Sequence, residues 1–311
     1  MRRAHRRPPR PADARARASD QRRLAALAGL FALTTALEAV GGWWTGSLAL
    51  LADAGHLMGD VAALLVSAGA LWLAQRPPRP RYTYGYHRAE ILAALGNAAL
   101  LVPLAVWIVL EALERLRQPP TIFGPGMAAI AAVGLGVNLF GLALLHPRRG
   151  NLNLRSAWLH LVGDVLGSVA ALVAAALVLL GARWADPAVS LLLAGLLLLG
   201  AWNVGREAVA VLLEAAPPSV DPRALAHRLA DVPGVRDVHD VHVWTIASGR
   251  YAVSAHAVVE PGGDAAAALA EMHRRVGEEF HLDHVTIQIE PPGFAEGPAC
   301  APVRAKAGDR E

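Results

Sequence analysis

Six long apolar stretches occupy the first two-thirds of the chain, and they restrict its fold more than any other feature. A helix needs about 20 consecutive apolar residues to cross the hydrocarbon core of a bilayer, which is about 30 Å thick. Each stretch is long enough for one span, so the sequence predicts an α-helical membrane protein with six transmembrane helices. The stretches are Leu24–Trp43, Leu48–Ala74, Ile91–Leu110, Gly124–Leu145, Leu154–Leu180 and Ala188–Val204.

Composition supports a membrane location and excludes several classes of protein. Only 18% of the 311 residues are charged and 54% are apolar, which excludes a disordered protein. The single cysteine, Cys300, excludes a disulfide framework and a cysteine-rich zinc module. The net charge of +3 does not indicate a nucleic-acid partner. The first stretch contains Glu38 and lacks a small-residue cleavage site, which argues against a signal peptide.

Arginine residues are unevenly divided between the loops, and this division predicts the orientation of the chain. Short cytoplasmic loops carry more arginine and lysine than loops on the other side of a membrane. The arginine-rich residues 1–23 would share a side with the loops after the second and fourth stretches, whereas the other side has only Arg115, Arg117 and Arg183. We therefore expect both termini in the cytoplasm. The arm would contact lipid headgroups, with a partner or RNA as the alternative.

Two of the six stretches carry ionisable residues in their interior, where a charge is costly. The motif His-Leu-x-Gly-Asp-Val occurs at His56–Val61 in the second stretch and again at His160–Val165 in the fifth. Residues four apart lie on one face of a helix, about 6 Å apart along its axis. Each copy therefore places a histidine and an aspartate on the same helix face.

The two copies of the motif also lie at matching depths. The second and fifth helices run in opposite directions, and a rise of about 1.5 Å per residue puts both pairs roughly 12 to 18 Å below the outer surface. Two imidazoles and two carboxylates suit a tetrahedral divalent cation, zinc best of all, and the carboxylates balance its charge. We therefore predict an intramembrane zinc site. Its ligands are His56, Asp60, His160 and Asp164.

This set of ligands favours an ion that is carried rather than permanently held. It lacks thiolates, which retain zinc tightly, and imidazole exchanges a proton for a metal ion at physiological pH because its ordinary pKa is about 6.5. An intramembrane zinc-dependent enzyme and a membrane metal sensor are the alternatives. An enzyme needs an open coordination position and a base, for which the sequence offers only Asp53 and no His-Glu-x-x-His motif. A sensor needs an output module, and none is recognisable.

Other polar residues in the apolar stretches suggest structural roles. Asp53 lies seven residues before Asp60, on the same face of the helix and nearer the outer surface of the membrane. We expect it either to line the exit path or to accept a hydrogen bond from a neighbouring helix. Glu38, Asn97 and Asn138 are expected to hold neighbouring helices together.

Four strings of residues, in the same order along the chain, resemble the cation diffusion facilitator family of zinc transporters, with the zinc, cadmium and cobalt efflux proteins of bacteria as the nearest type. The strings are Ser47–Asp60, Tyr84–Leu92, Asn153–Asp164 and Val238–Trp244. The resemblance implies a homodimeric, proton-coupled exporter in a bacterial inner membrane, with six spans and a cytoplasmic metallochaperone-like domain. It implies a transporter and not an enzyme. A His/Asp pair on each helix goes with zinc in this family, and cadmium or cobalt are alternative ions.

Beyond Pro217 and Pro218 the pattern becomes that of a small α+β domain. Asp221 followed by Pro222 is typical of a helix start. The predicted order is αββαβ, with antiparallel strands and both helices on one face of the sheet. The predicted helices are Pro222–Leu229 and Asp264–Phe280, and the predicted strands are Arg236–Ile246, Arg250–Glu260 and His284–Glu290.

A second candidate metal site lies in this domain. If Thr245 pairs with Arg250 across the hairpin turn, His239 stands opposite His256 on the neighbouring strand. The resemblance matches these two histidines and Glu290 to a cytoplasmic zinc site. A pair of solvated surface histidines is the alternative.

Two neighbouring positions complete the expectations for the domain. The resemblance places Asp283 near a second cytoplasmic site, and strand alternation predicts that His242 points to the opposite face of the sheet from His239. The expected organisation is an arm (1–23), a six-span cation efflux domain (24–214), a cytoplasmic dimerisation and metal-sensing domain (217–291) and a disordered tail (292–311).

Overall fold

The computed structural model describes residues 29–74, 76, 79–144, 152–247, 249–294 and 303–307, without the side chains of residues 64, 67, 68, 70, 71, 74 and 152–160. The predicted arm, residues 1–23, lies outside the described residues. The chain divides into two compact units. One contains the residues up to Leu65 together with Asn97–Trp202, and the other contains Val66–Gly96 together with the residues from Asn203 onward.

The described residues before Glu214 form six helices, as the apolar stretches predict. Four of them are long and apolar enough to cross a membrane over the residues described, namely α3, α4, Leu161–Leu179 of α5, and α6. Helices α3 and α6 continue into polar residues beyond their predicted stretches, because backbone hydrogen bonding does not end where the hydrocarbon does. The helices are α1 (residues 29–45), α2 (Leu48–Ala74), α3 (Ala89–Arg117), α4 (Gly124–Leu144), α5 (Leu152–Leu179) and α6 (Ala185–Leu212).

The first unit buries small residues and exposes large apolar ones, as membrane helices do. Ala131 of α4 and Ala171 of α5 are buried in one cluster with Leu50 of α2. Small side chains allow helix backbones to approach closely. Large side chains such as Leu100 and Trp202 are exposed, which is typical of helix surfaces that face lipid.

A buried carboxylate fixes the beginning of α2, the helix that carries His56 and Asp60. Asp186 in the first turn of α6 accepts hydrogen bonds from the Leu48 and Ala49 backbone amides, at 2.9 and 3.1 Å, and from the Ser47 hydroxyl. The first amides of a helix have no hydrogen-bond acceptor within that helix. A negatively charged carboxylate is also stabilised near the positive, N-terminal end of the helix dipole. The start of α2 is therefore capped by another helix.

The part of the chain after α6 forms an α+β domain in the predicted order. Asp221 and Asp264 cap its two helices by accepting hydrogen bonds from the Arg223 and Ala267 amides. Both helices contribute to a core on one face of the sheet, as predicted. The elements are α7 (Pro222–Ala230), β1 (Val235–Ala247), β2 (Arg250–Val259), α8 (Ala265–Glu279), β3 (His284–Glu290) and β4 (Ala305–Lys306), and the sheet order is β3-β2-β1-β4.

The expectation of antiparallel pairing throughout is wrong for β3. Strand β3 pairs with β2 in parallel, with His284 beside Ala252. Helix α8 lies between these strands in the chain and returns it to the end of the sheet where β2 began. A crossover of this kind makes the two strands parallel.

The predicted register of the hairpin is wrong at the turn but correct at the histidines. Arg250 pairs with Ala247, and Thr245 pairs with Tyr251. An irregularity between His239 and His242 then shifts the register by one residue and brings His239 opposite His256. The backbone at Asp240 has a φ of 49°, which marks this point as a β-bulge.

The same bulge overturns the prediction for His242. His242 pairs with Ser254, which lies two residues from His256 and therefore shares its face. An extra residue in β1 resets the alternation of side chains. His242 thus lies on the same face of the sheet as His239, with Nε2 3.2 Å from Oδ1 of Asp240.

The expectation of disorder beyond residue 291 is wrong for residues 303–307. Ala305 and Lys306 form β4, which pairs with Val238 and Asp237 of β1, and the Ala307 amide donates to the Arg236 carbonyl at 3.1 Å. An edge strand presents unpaired backbone groups that another segment can satisfy. Amino-acid composition does not reveal such a long-range pairing.

Candidate metal centres

The structure brings together three of the four residues predicted to bind the ion within the membrane. His56 Nδ1 lies 3.9 Å from Asp60 Oδ2 one turn later in α2, and His56 Nε2 lies 3.6 Å from Asp164 Oδ1 in α5. One ligand atom from each residue lies within 4.8 Å of the others. His160 is one turn before Asp164 in α5, but its side chain is outside the described part of the chain.

Burial differs among these three side chains. The Asp164 side chain is 4% exposed, whereas those of His56 and Asp60 are 41% and 30% exposed. Asn138 of α4 donates from Nδ2 to the Asp164 carbonyl at 3.3 Å and to Ser168 Oγ at 2.9 Å. One side of the group is therefore held by packed helices, and the other side is open.

Two polar residues near this group behave as expected. Asp53 is buried, and its carboxylate accepts a hydrogen bond from Ser168 Oγ at 3.5 Å, which is the second of the two roles expected for it. Asn97 of α3 donates to the Gly59 carbonyl of α2 at 3.3 Å. Asn97, like Asn138, thus joins neighbouring helices.

Glu38, the third of these polar residues, contacts a neighbouring helix without a hydrogen bond among the described residues. It is fully buried, and neither of its carboxylate oxygens has a hydrogen-bond partner among the described residues. Its Oε1 occupies the space that a side chain at Gly134 of α4 would fill. Glu38 therefore packs against α4 by shape rather than by hydrogen bonding.

The second group lies on the sheet of the α+β domain. His256 Nδ1 is 3.0 Å from Glu290 Oε1, and His239 Nε2 is 3.4 Å from Glu290 Oε2. One ligand atom from each of the three residues lies within 4.8 Å of the others. His239 and Glu290 are both buried, unlike solvated surface histidines and their neighbours. Asp283 is exposed and belongs to neither group found among the described residues.

Three further side chains support the second group and were not identified from the sequence. Gln288 Nε2 donates to Glu290 Oε1 at 2.7 Å, and Asp237 Oδ2 lies 3.4 Å from His239 Nδ1. Arg304 makes a bidentate ion pair with Asp237. Asp237 and Gln288 each lie two residues before a predicted ligand, so strand alternation could have indicated them. No local signal indicates Arg304.

Comparison with known proteins identifies the class of this protein. Residues 24–213 match the cation efflux transmembrane domain, and residues 217–292 match the cytoplasmic domain of cation efflux proteins. The fold and the match together define an integral, multi-pass membrane transporter. The chain belongs to the cation efflux family.

Similar proteins include several bacterial transporters. The chain is 42% identical to the zinc transporter ZitB of Escherichia coli over 91% of both chains. It is 38% identical to the cadmium, cobalt and zinc/H(+)-K(+) antiporter of Bacillus velezensis, over 82% of this chain and 83% of that protein. A structure of the metal-bound C-terminal domain of the CzcD transporter from Cupriavidus metallidurans is 30% identical and covers 23% of this chain and 99% of its own, with a TM-score of 0.22.

Family membership decides between the classes of function left open by the sequence. The family and the similar proteins are transporters, so the chain is a transporter and not an enzyme. The family of the cytoplasmic domain is a dimerisation family, so the chain is a homodimer. These findings confirm the resemblance drawn from the four strings of residues.

Proposed function

We propose that this protein exports zinc from the cytoplasm in exchange for protons, by alternating access around one intramembrane site. The convergence of His56 and Asp60 from α2 with Asp164 from α5 carries the proposal, because three ionisable groups meet within otherwise apolar helices. The names of the similar proteins, which specify zinc and proton antiport, support it. The proposed ligands are His56, Asp60, His160 and Asp164.

The distances in this group suit a cation that binds and leaves. Tetrahedral zinc has ligand bonds of about 2.0–2.1 Å, which places neighbouring ligand atoms about 3.3 Å apart. The observed separations of 3.6 and 3.9 Å are slightly larger. A small closure of α2 toward α5 would shorten the distance from His56 to Asp164, and side-chain rotation within α2 would shorten the distance from His56 to Asp60. Zinc requires neutral imidazoles and ionised carboxylates, and its departure therefore allows protons to return to the same atoms.

We further propose that the protein lies in a bacterial inner membrane with both termini in the cytoplasm. The distribution of arginine between loops supports this orientation, and the similar proteins come from bacteria. On this proposal the arm is residues 1–23, the cation efflux domain is 24–214 and the metal-sensing domain begins at residue 217.

A second role is proposed for the cytoplasmic group. His239, His256 and Glu290 would bind a regulatory zinc ion, since two imidazoles and a carboxylate form a suitable set of ligands. The separations of 3.0 and 3.4 Å are close to those of zinc ligands, and burial of His239 and Glu290 protects these two residues from competing water. Asp283, which is exposed, is not included.

Transport into reconstituted vesicles tests the main proposal. Wild-type protein is supplied with zinc, cadmium or cobalt, with and without an imposed pH gradient. We expect zinc flux that rises with the gradient and falls to the protein-free background in Asp60→Ala. Glu114→Ala, which removes an exposed carboxylate from α3, should retain wild-type flux. Undiminished flux in Asp60→Ala would contradict the site, and flux indifferent to the gradient would contradict proton exchange.

A further inference from the structure

The C-terminal strand β4 delivers a charged side chain to the cytoplasmic group. Arg304 immediately precedes β4, and its Nε donates to Asp237 Oδ1 at 3.0 Å while Nη2 donates to Oδ2. The Asp237 side chain is only 8% exposed, whereas that of Arg304 is 60% exposed. Backbone pairing of Ala305 with Val238 and of Lys306 with Asp237 holds this arginine in place. Arg304 thus approaches Asp237 from the solvent side.

Asp237 in turn lies beside the ring nitrogen of His239 that is not near Glu290. Asp237 Oδ2 lies 3.4 Å from His239 Nδ1, and the other ring nitrogen, Nε2, lies 3.4 Å from Glu290 Oε2. A neutral imidazole carries one proton, and a carboxylate beside Nδ1 favours the tautomer with that proton on Nδ1. The lone pair of Nε2 then points toward Glu290. Metal-binding histidines are commonly oriented by a carboxylate in this way.

We propose that residues 303–307 form a C-terminal clip that completes the cytoplasmic metal site, with Arg304 and Asp237 as positioning residues for His239. The proposal rests on the proposed binding of zinc by His239, His256 and Glu290. Zinc binding and docking of the clip are then coupled. Because coupling of this kind is reciprocal, the clip tightens zinc binding by the same factor by which zinc stabilises the clip.

Arg304 has two opposing effects on zinc binding, and their magnitudes show which one is larger. Its positive charge opposes a cation, but the side chain is largely in solvent, where such interactions are strongly screened. Orientation of a ligand by supporting groups changes metal affinity by about 10- to 100-fold. Positioning therefore outweighs repulsion, and removal of Arg304 weakens zinc binding instead of strengthening it.

Zinc titration of the full-length protein in lipid nanodiscs tests the proposal. An Asp60→Ala background disables the intramembrane site, so that binding reports on the cytoplasmic one. We expect Arg304→Ala to weaken zinc binding about 10- to 100-fold. Arg304→Lys keeps the charge but loses the bidentate geometry, and it should recover only part of this loss. If Asp237→Ala folds, it should weaken zinc binding as much as Arg304→Ala does. If it does not fold, the zinc affinity of Arg304→Ala alone tests the proposal.

Arg228→Ala is the matched control. Arg228 makes a bidentate ion pair with Glu279 in the same domain, with both separations 2.9 Å, and its other ion pair among the described residues is with Asp231, which belongs to neither the metal group nor the clip. It should bind zinc as the background protein does. Equal zinc affinity in Arg304→Ala and Arg228→Ala would overturn the clip, as would tighter binding in Arg304→Ala.

Hydrogen exchange supplies a readout that a purely structural strand would not change. Zinc should slow amide exchange in the peptide that covers residues 303–307 by the same 10- to 100-fold factor. This protection should vanish in the His239→Ala, His256→Ala variant. Exchange that zinc leaves unchanged, in a protein that binds zinc through these histidines, would overturn the clip alone. If the double histidine variant bound zinc as tightly as the background protein, the cytoplasmic site itself would be wrong, and the clip with it.

Discussion

The two groups of histidine and carboxylate use similar ligands in different frameworks. In the membrane, His56 and Asp60 share one helix and Asp164 comes from another, with separations of 3.6 and 3.9 Å. In the cytoplasmic domain, the proposed ligands come from three adjacent strands at 3.0 and 3.4 Å. The helices can shift relative to one another, whereas strands joined by backbone hydrogen bonds cannot. The first framework suits an ion in transit, and the second suits an ion that stays.

The side chains that support the proposed ligands also differ between the two sites, and they again make the site in the sheet the more rigid one. Glu290 is held by Gln288, and His239 is backed by Asp237. For Asp164 the described support reaches the backbone rather than the carboxylate, through Asn138. Supporting hydrogen bonds fix a ligand and strengthen metal binding, so their distribution favours retention in the sheet and release in the membrane.

The largest expected effect distinguishes the two sites by transport. Asp164→Ala removes a buried residue that we propose as a ligand in the membrane group, and we expect zinc flux in vesicles to fall to the protein-free background. His239→Ala, His256→Ala leaves that group intact and should transport measurably, more slowly or with a raised zinc threshold. Equal losses of flux in the two variants would remove the distinction between a carrying site and a holding site.

The second expected effect concerns the choice of ion. His56→Asp replaces a borderline nitrogen ligand with a hard oxygen, which should loosen the preference for zinc over manganese, the harder ion. We expect the zinc-to-manganese ratio of transport to fall by about tenfold, which corresponds to about 1.4 kcal/mol. His256→Asp makes the same change in the sheet and should leave the ranking of transported metals unaltered. An unchanged ranking in His56→Asp would count against His56 as a ligand.

The membrane group could be predicted from sequence because its determinants are local. Apolar length defines α2, whose predicted and observed bounds agree, and a spacing of four puts His56 and Asp60 on one face. The partnership with Asp164 needed only the repeat of the motif and the opposite direction of α5. The close approach of Glu38 to Gly134 of α4 depends on how α1 and α4 pack, which no spacing rule encodes.

The cytoplasmic group could be predicted only in part because its geometry depends on distant pairings. His239 faces His256 as expected, although the predicted register is wrong by one residue at Thr245. The bulge between His239 and His242 shifts the observed register by one residue, so the two histidines pair as predicted. The bulge is a backbone feature without a composition signal, so the prediction for His242 was wrong. Arg304 meets Asp237 across a separation of 67 residues, from a segment whose composition predicts disorder. Long-range backbone pairing decides both outcomes.

The third expected effect is a zinc-dependent gain in stability that belongs to the sheet alone. An isolated fragment from Glu214 to Ala307 should gain about 2.7 kcal/mol at a hundredfold excess of zinc over its dissociation constant. His239→Ala, His256→Ala should lose this gain. Thermal unfolding with zinc and with chelator measures it, and absence of a shift in the wild-type fragment would mean that the two histidines do not bind zinc. The fragment must include β4, so a version that ends at Pro291 should gain less.

The smallest expected effect checks that the zinc response belongs to the site and not to the domain in general. Hydrogen bonds from Arg274 and Arg275 lower the pKa of Glu271 on α8 from its usual 4.5 to about 2. A lowered pKa in the folded state stabilises the fold above pH 4.5, and this contribution is lost as the pH falls from 4.5 toward 2. The Glu271 side chain is 31% exposed and that of its partner Arg274 is 50% exposed, so solvent screening keeps the effect small.

Glu271→Gln should therefore lower the unfolding temperature of the metal-free fragment by roughly 1–3 °C at pH 7, and the difference from wild type should disappear near the acid end of that range. Its zinc-dependent shift at pH 7 should equal that of wild type, because α8 packs on the opposite face of the sheet from the two histidines. Glu260→Gln, an exposed substitution outside α8, serves as the control. A smaller zinc-dependent shift of the unfolding temperature in Glu271→Gln than in wild type would mean that this shift reports the general stability of the domain. It would then not support a difference between the two sites.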